Sequence, residues 1–232
     1  MDPPQKNLLM SMSSLNDKAI DDRPVIVLGS GGHAAVVIST LHRLGAQILG
    51  ATSRNARVGV EILGVRVIGD DQEIFRQKST EFTIANGIGM PATERSIRQV
   101  CAEKMRKKGY SFRAVVDPTA VIAHEVRLAE GIQILSGAII QPRVSIGRDT
   151  IVNTGARIDH DCEIGAACHI CPGVTLAGNV KVGRGVLIGA GSTVIPNVTI
   201  GEDSLIAAGS VVYRDVPPGV RFIQKRTTTF LR

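Results

Sequence analysis

The sequence of 232 residues contains no tryptophan, only two tyrosines and five phenylalanines. It therefore lacks the aromatic platforms on which proteins stack single-stranded nucleic acid, and no Lys/Arg run forms a basic patch, so we expect no nucleic-acid partner. The formal net charge of +6 instead suits small polyanionic ligands. No apolar stretch is long enough to span a membrane and residues 1–23 show no secretory signal, which predicts a cytoplasmic protein without a membrane partner.

The core must be built from aliphatic side chains, and these recur with a period of six. Every sixth position from 122 to 212 is Ile, Leu or Val, a run of sixteen whose chance probability is on the order of 10⁻⁹. A six-residue period fits neither a single amphipathic helix nor a hairpin sheet. It is typical of a solenoid of short strands, each pointing one aliphatic side chain inward. The repeat positions are Ile122, Leu128, Ile134, Ile140, Ile146, Val152, Ile158, Ile164, Ile170, Leu176, Val182, Ile188, Val194, Ile200, Ile206 and Val212.

A second period indicates that three hexapeptides form one triangular coil. Glycines recur every 18 residues, each directly after an aliphatic residue, at Gly147, Gly165, Gly183 and Gly201. We interpret this column as a coil corner that needs a backbone without Cβ, at positive φ. The second half of the chain is thus predicted to be a parallel β-helix.

Four cysteines raise the question of a metal site. Cys168-x-x-Cys171 is a weak pattern because no second pair has matching spacing, and reduced thiols are the default in this setting. Cys162 and Cys168 fall in the small-residue column of the repeat, so we expect them to fill the core. The fourth, Cys101, lies in the first half. We predict no metal site and no cysteine nucleophile.

The first half is predicted to be a small α/β unit. Val25–Leu28 is a short apolar run typical of a buried parallel strand, and 47–51 and 83–85 follow as further strands. Helices are predicted over 35–44 and 93–108. The loop Gly29-Ser-Gly-Gly-His33-Ala34 between the first strand and helix suggests a phosphate held at a helix N-terminus. A tight turn without a ligand remains the alternative, since such a loop is a weak signal alone.

The end of the second strand argues against a dinucleotide. A conventional NAD site places Asp or Glu there, about 20 residues after the glycine loop. This chain has Thr52, Ser53 and Arg54 instead. A nucleotide ligand held mainly through phosphate and sugar is still compatible with the loop.

His160 is the best candidate for chemistry in the repeat. It follows the inward Ile158 by two positions and is flanked by Asp159 and Asp161, so it can point outward beside a carboxylate. A carboxylate bound to one imidazole nitrogen raises the basicity of the other, as a general base requires. The alternative is a surface histidine that lies among surface acids and has no catalytic role.

His169 lies nine residues later, half of an 18-residue coil. The two histidines should not share a face of one chain, and they can meet only in a groove between neighbouring chains. Gly178 stacks one coil after His160 and leaves room for a ligand. Ala190 and Ala208 also differ by one coil and suit a smooth lane for an extended arm, although small residues fit tight coils in any case.

These residues resemble the bacterial nucleotide-sugar N-acetyltransferases of the bacillosamine and perosamine pathways and the related sialic acid O-acetyltransferases. The resemblance covers roughly residues 24–216 and rests on two motifs. One is the loop Gly29-Ser-Gly-Gly-His33-Ala34. The other runs from Asn153 through Asp159-His160-Asp161-Cys162, Ile164-Gly165, His169 and Pro172-Gly173 to Leu176-Ala-Gly178-Asn179-Val180.

The resemblance implies a fold, a reaction and partners. The fold is an α/β, Rossmann-like N-terminal domain followed by a left-handed parallel β-helix of hexapeptide repeats. The reaction is acetyl transfer from acetyl-CoA to the amine of a nucleotide-linked 4-amino-4,6-dideoxy sugar, directly and without an acyl-enzyme, in lipopolysaccharide or other glycan biosynthesis. The assembly is a homotrimer with an active site in each groove between subunits.

The resemblance also implies residue roles, which divide into three groups. His160 is the general base, and Asp161 raises its basicity. The acetyl-CoA contacts are Asn153, His169, Gly178, Ala190 and Ala208. The contacts to the nucleotide sugar are Gly31, Gly32, His33, Ser53 and Gly87.

Two departures from the family pattern leave alternatives open. Ser53 and Arg54 stand where the family often has acids that read the base, and the C-terminal end lacks the usual Gly-x-Pro-Ala turn. An O-acetyltransferase of sialic acid or a polysaccharide is the first alternative, and a non-catalytic nucleotide-sugar-binding trimer is the second. The predicted boundaries are a flexible tail over 1–23, the Rossmann-like domain over 24–114, the β-helix over 115–216 and a C-terminal tail over 217–232.

Overall fold

A computed structural model describes residues 10–11, 22–55, 57–90 and 96–224. Most of the predicted N-terminal tail and half of the predicted C-terminal tail lie outside these residues. In the described part of residues 1–23, Met10–Ser11 (β1) pairs antiparallel with Arg127–Leu128 (β9). At the other end, Arg221–Phe222 (β24) adds a parallel strand beside Leu205–Ile206 (β22). The solenoid therefore extends past the predicted boundary at residue 216.

The N-terminal domain is a sheet with helices, as the strand–loop–helix pattern predicts. Its strands are Val25–Leu28 (β2), Ile48–Thr52 (β3), Glu61–Ile62 (β4), Val65–Gly69 (β5) and Thr83–Asn86 (β6). Its helices are Gly32–Arg43 (α1), Gln72–Phe75 (α2) and Ser96–Lys107 (α3). The sheet order is β4-β5-β3-β2-β6, and only β4 pairs antiparallel.

Helix α1 begins at Gly32, three residues before the predicted start, because the glycine loop itself forms the first turn. The hairpin of β4 and β5 was not predicted. It follows Gly59 and turns at Leu63 and Gly64, all at positive φ, a signal too short to read from periodicity.

The C-terminal domain is a three-faced parallel β-helix. Face 1 consists of Val115–Val116 (β7), Gln133–Ile134 (β10), Ile151–Val152 (β13), His169–Ile170 (β16), Leu187–Ile188 (β19), β22 and β24. Face 2 consists of Val121–Ile122 (β8), Ile139–Ile140 (β11), Arg157–Ile158 (β14), Thr175–Leu176 (β17), Thr193–Val194 (β20) and Val211–Val212 (β23). Face 3 consists of β1, β9, Ser145–Ile146 (β12), Glu163–Ile164 (β15), Lys181–Val182 (β18) and Thr199–Ile200 (β21).

The predicted inward positions form the core of this solenoid. All sixteen lie in it, and all but Ile122 are buried. Cys162 and Cys168 are fully buried in the same cluster, which confirms their expected packing role. Each coil pairs with the next in register at a spacing of 18 residues, as between Ile151 and His169.

The explanation given for the glycine column was wrong. Gly147, Gly165, Gly183 and Gly201 do not have positive φ. A Cβ on Gly147 would instead lie 2.5 Å from the backbone nitrogen of Ala166 in the next coil. These glycines are required because adjacent coils approach too closely for a side chain. Five glycines with positive φ form a different column, at Gly137, Gly155, Gly173, Gly191 and Gly209.

Polar contacts dock the N-terminal domain onto the solenoid. The buried carboxylate of Asp117 accepts hydrogen bonds from Thr40 (3.1 Å) and from Arg43 Nε (3.0 Å) of α1, and from Ser136 (3.0 Å) in the following coil. Arg106 of α3 binds Asp149 through both guanidinium Nη atoms, at 2.6 and 2.8 Å. The buried carboxylates of Asp117 and Asp149 thus fix the position of the N-terminal domain on the solenoid.

Candidate active site

His160 lies at the corner between faces 2 and 3, where the chain turns from β14 into β15. Its Nδ1 is 2.7 Å from Asp161 Oδ2, and its side chain is 54% exposed. The backbone N–H of His160 donates to Asp159 Oδ1 at 2.8 Å, which holds the turn. Because an ionised carboxylate only accepts, Nδ1 carries the proton and the Nε2 lone pair is available to a reactant.

Arg143, which was not among the predicted site residues, completes this arrangement. Its Nε and Nη2 donate to the two carboxylate oxygens of Asp161 at 2.6 and 2.8 Å. Hydrogen bonding first to Arg143 and then to His160 holds the pKa of Asp161 well below its usual value, so the carboxylate is ionised. Subtracting one coil, 18 residues, from Asp161 would have identified Arg143.

The corner that carries Arg143 and Asp161 is conformationally unusual. Both residues have φ of +61°, as does Glu125 one coil earlier, and Asn179 and Asn197 continue the column at +59° and +63°. Asn tolerates this left-handed region, whereas Arg and Glu adopt it rarely. The fold therefore accepts backbone strain at the corner that presents the candidate base.

Gly178 lies directly against the imidazole of His160, as its one-coil spacing predicted. A Cβ at this position would lie 2.7 Å from His160 Cε1 and 2.8 Å from Nε2. The absence of a side chain is thus what gives the ring its place. Whether Gly178 also contacts acetyl-CoA stays a prediction.

His169 lies on face 1, whereas His160 lies at the corner between faces 2 and 3, so the two side chains do not share a face of the chain. The amide of Asn153 is oriented because its Oδ1 accepts from the backbone N–H of Thr154 at 2.8 Å. Its Nδ2 therefore donates to His169 Nε2 at 3.0 Å, which places the ring proton on Nδ1. Burial, and next the charge of Arg98, lower the pKa of His169 to about 4, so the ring is neutral at neutral pH.

His33, from the glycine loop, also reaches face 1. Its Nε2 lies 2.7 Å from Gln133 Oε1, and Gln133 Nε2 donates to the backbone oxygen of Asn86 at 2.6 Å. Burial, and next Arg98, lower the pKa of His33 to about 4. His33 and His169 are therefore two neutral imidazoles on the same side of the chain.

Arg98 is a buried cation, only 3% exposed, whose charge acts on both histidines. Its Nη1 donates to the backbone oxygens of Asn86 (2.8 Å) and Ile88 (2.5 Å). Among the described residues its Nε and Nη2 have no hydrogen-bond partner. Burial lowers its pKa to about 10, so it remains charged at neutral pH and disfavours protonation of both rings.

The glycine loop leaves the N-terminus of α1 open. Gly31 is the N-cap, no side chain caps the helix, and its first turn contains no acidic residue. Gly31 and Gly32 are exposed, and a Cβ on either would meet nothing within 4 Å. This end of the helix presents free N–H donors, a suitable place for a phosphate.

Two other predicted loop contacts have a clear structural role. The hydroxyl of Ser53 is 2.6 Å from that of Ser30 and also accepts from the backbone N–H of Asn55 at 3.3 Å. Gly87 is buried, and a Cβ there would lie 2.8 Å from Ala34 Cβ. Ser53 thus ties the loop to the end of β3, and Gly87 allows α1 to pack closely; their ligand contacts stay predictions.

Ala190 and Ala208 lie one coil apart at the corner between faces 1 and 2, and both are exposed. A Cβ on the neighbouring Gly191 would meet nothing within 4 Å. This corner is therefore smooth and open, as predicted, and it is not the corner that carries His160. Asn153 lies at the same corner, two coils closer to the N-terminus.

The thiols are poorly suited to catalysis. Burial raises the pKa of Cys162 and Cys171 to about 11 and that of Cys168 to about 12. In the part of the chain that the structure describes, no group of three or more His, Cys, Asp or Glu side chains is arranged to hold a metal ion. Across the same residues no helix is long and apolar enough to cross a membrane.

Two family profiles match the chain, one in each domain. The PglD N-terminal domain matches residues 24–105, and the bacterial transferase hexapeptide, with six repeats, matches residues 179–214. These matches bear out the predicted Rossmann-like domain and the left-handed hexapeptide-repeat helix. A search of curated protein sequences found no match.

Solved structures match over most of the chain. One is a variant of perosamine N-acetyltransferase from Caulobacter crescentus in complex with CoA and GDP-perosamine, with 37% identity, a TM-score of 0.78, and coverage of 85% of this chain and 92% of the other. Another is the acetyltransferase domain of PglB from Neisseria gonorrhoeae in complex with acetyl coenzyme A, with 28% identity, a TM-score of 0.78, and coverage of 85% and 94%. WeeI from Acinetobacter baumannii, at 20% identity and a TM-score of 0.76 over 85% and 94% of the two chains, shows the fold alone.

Proposed function

The chain belongs to the bacterial sugar N-acetyltransferases of the hexapeptide-repeat superfamily, and on that premise we propose that its acceptor is the amine of a nucleotide-linked 4-amino-4,6-dideoxy sugar. The acetyl donor is acetyl-CoA. His160 is the general base, and the acetyl group passes directly from donor to acceptor.

The geometry of His160 carries this proposal. As the neutral amine attacks the thioester carbonyl carbon, His160 Nε2 accepts the proton that the nitrogen loses. The C–S bond then breaks, and CoA leaves as the thiol after taking up that proton. Asp161 stabilises the imidazolium formed between these events, because its ionised carboxylate is 2.7 Å from Nδ1 and is held by Arg143.

The placement of the other predicted contacts supports a site shared between subunits. His33 and His169 both lie over face 1, whereas His160 lies at the corner between faces 2 and 3. The nucleotide-binding half and the base of one chain therefore do not face each other. A second copy that brings its own His160 to the first chain's face 1 completes the site, which favours the cyclic trimer expected of the family.

The residues at the corner between faces 1 and 2 fit an extended donor. Ala190 and Ala208 are exposed one coil apart, and the open space beside Gly191 allows close approach to backbone. A pantetheine arm that follows this corner along the solenoid axis ends near Asn153 and His169. Here the neutral His169 adds no competing base, because Asn153 already occupies its Nε2.

Replacing the base tests the mechanism, with His124 as a matched control. His124 is an exposed histidine in the same corner column, 36 residues before His160. We expect His160→Ala to lower thiol release from acetyl-CoA by at least about a hundredfold, while His124→Ala retains wild-type turnover. Near wild-type turnover in His160→Ala would refute the catalytic role and leave a non-catalytic binding protein.

A panel of acceptors tests the substrate class. Thiol release is measured with UDP-, GDP- and dTDP-linked 4-amino sugars and with free sialic acid. We expect at least one nucleotide amino sugar to be acetylated and sialic acid to be inert. Activity on a hydroxyl acceptor with every amine inert would instead assign the chain to O-acetylation.

A further inference from the structure

The N-terminal domain contains an acidic residue in a position that the sequence pattern did not reveal. No acid follows β3, where the chain reads Thr52, Ser53 and Arg54. Asp71 comes instead from the end of the neighbouring strand, β5. Its Oδ1 accepts a hydrogen bond from Thr52 Oγ1 at 3.0 Å, and Thr52 Oγ1 in turn accepts from the backbone N–H of Gly29 at 3.3 Å. A carboxylate is thus connected to the glycine loop through one side chain.

Apart from the contact of Oδ1 with Thr52, the carboxylate of Asp71 is not used by the local fold. Asp71 stands at the N-cap of α2 but makes no capping hydrogen bond. Asp70 performs that role, because its Oδ1 accepts from the backbone N–H of Gln72 at 2.8 Å. The side chain of Asp71 is partly exposed, and within the described residues its Oδ2 has neither a hydrogen bond nor an ion pair. One oxygen therefore remains for a ligand.

The orientation of a bound nucleotide follows from the strands that lie on either side of the glycine loop. With its phosphates at Gly31 and Gly32, a nucleoside diphosphate sugar must extend one end over β6 and the other over β3 and β5. The β6 side leads to the solenoid, since His33 contacts Gln133 there. The sugar must reach the solenoid to be acetylated, so the nucleoside lies across the ends of β3 and β5, beside Asp71.

This inference rests on the proposed function and adds the recognition of the nucleoside. We propose that Asp71 accepts hydrogen bonds from the ribose hydroxyls, and that the site therefore selects ribonucleoside diphosphates over their 2′-deoxy counterparts. The free Oδ2 has two lone pairs for O–H donors, and a carboxylate is the group that binds the ribose 2′-hydroxyl in dinucleotide-binding folds. UDP- or GDP-linked sugars are then substrates in preference to dTDP-linked ones.

The test compares matched nucleotides with and without the 2′-hydroxyl. Calorimetry on the full chain measures the Kd of GDP, 2′-deoxy-GDP, UDP and 2′-deoxy-UDP. For the wild-type protein we expect each ribonucleotide to bind about tenfold to a hundredfold more tightly than its deoxy form, the range for a hydrogen bond to a charged group. In Asp71→Ala this preference falls to within about threefold, mainly because ribonucleotide binding weakens.

Two control measurements distinguish ribose recognition by Asp71 from a general charge effect and from recognition of the base. Asp70→Asn removes the adjacent charge, and Asn caps helices as well as Asp does, so it must keep the wild-type preference. Inosine diphosphate lacks the exocyclic amine of guanine, and we expect Asp71→Ala to leave the ratio of its Kd to that of GDP unchanged; if a wild-type preference for GDP disappears in Asp71→Ala, Asp71 reads the base, which overturns the proposal. Circular dichroism confirms the fold of each variant.

The outcomes also distinguish this proposal from the proposed function. Equal binding of ribo- and deoxynucleotides by the wild-type protein, or equal weakening of both in Asp71→Ala, refutes the role of Asp71 and leaves the acetyltransferase intact. If no nucleoside diphosphate binds the wild-type protein, both this inference and the nucleotide-linked acceptor fail. If His160→Ala keeps full turnover while the ribose preference persists, only the catalytic proposal fails.

Discussion

Replacing Gly178 by alanine tests whether the position of the His160 ring limits catalysis. The added Cβ would lie 2.7 Å from His160 Cε1 and 2.8 Å from Nε2, whereas ordinary contacts begin near 3.4 Å. The imidazole must therefore move by about 0.7 Å, since a repulsive contact of this kind is relieved by displacing the more mobile partner. Such a shift strains the 2.7 Å contact between Nδ1 and Asp161 and misdirects Nε2.

The expected loss follows from the sensitivity of proton transfer to geometry. A misplacement of about 1 Å costs about a hundredfold in rate, so we expect kcat of Gly178→Ala to fall about tenfold to a hundredfold. The melting temperature should stay near the wild-type value, because the displaced ring is half exposed and can move toward solvent. Thiol release under saturating acetyl-CoA and acceptor measures the first effect, and thermal unfolding measures the second.

Gly183→Ala is the matched control, with the opposite expected result. A Cβ on Gly183 would lie 2.5 Å from the backbone nitrogen of Glu202, which belongs to the next coil and cannot turn away. We expect a loss of about 1–3 kcal/mol in the free energy of unfolding, as for other overpacked cores, with activity per folded molecule retained. A Gly178→Ala variant with wild-type kcat, or one that loses stability like Gly183→Ala, would refute the reasoning.

Two further predictions concern ionisation. Burial would raise the pKa of Asp117, but hydrogen bonds from Thr119, Arg43 and Ser136 outweigh it and hold that pKa below the unfolded value near 3.8. The stabilisation that the carboxylate contributes is therefore complete above about pH 4 and is lost as the pH falls through the folded pKa. Asp117→Ala should lower the free energy of unfolding by about 3 kcal/mol at pH 7, measured by urea unfolding. His33 and His169 titrate near 4 in the folded chain and near 6.5 when unfolded, so the unfolded state binds more protons between these values. Each should lower the free energy of unfolding by up to about 1.4 kcal/mol per pH unit from pH 6 to pH 4, and a flat profile over that range in urea titrations would contradict their burial as neutral rings.

The solenoid was the part of the fold most fully predictable from sequence. Because each short strand turns one side chain inward at a fixed interval, the run from Ile122 to Val212 specifies the coils almost without other information. The same regularity located Gly178 against His160. It did not explain the column of Gly147 and Gly183, because a close backbone approach and a positive φ both leave glycine in the sequence.

Contacts made outside the repeat could not be predicted from its periodicity. Arg143, by contrast, lies inside the repeat, one coil from Asp161, and was open to prediction by register alone. The pairing of His33 with Gln133 joins residues 100 positions apart and depends on how α1 docks on face 1. Asp71 was hidden for a similar reason, since it reaches Thr52 only when β5 lies beside β3. Outside a repeat, neighbouring strands of a sheet have no fixed spacing in the sequence.

Under the proposed function, the docking of the glycine loop on one coil sets a length for the acceptor. His33 is held by Gln133, and His169 lies two coils further along the same face, through Ile151. At about 4.8 Å per strand, the loop and His169, the proposed level of acetyl transfer, are separated by about 10 Å along the solenoid axis. The number of coils between them therefore sets the distance that the acceptor must span. Adding one coil would require a longer acceptor and deleting one coil a shorter acceptor, although no side chain of either site would change.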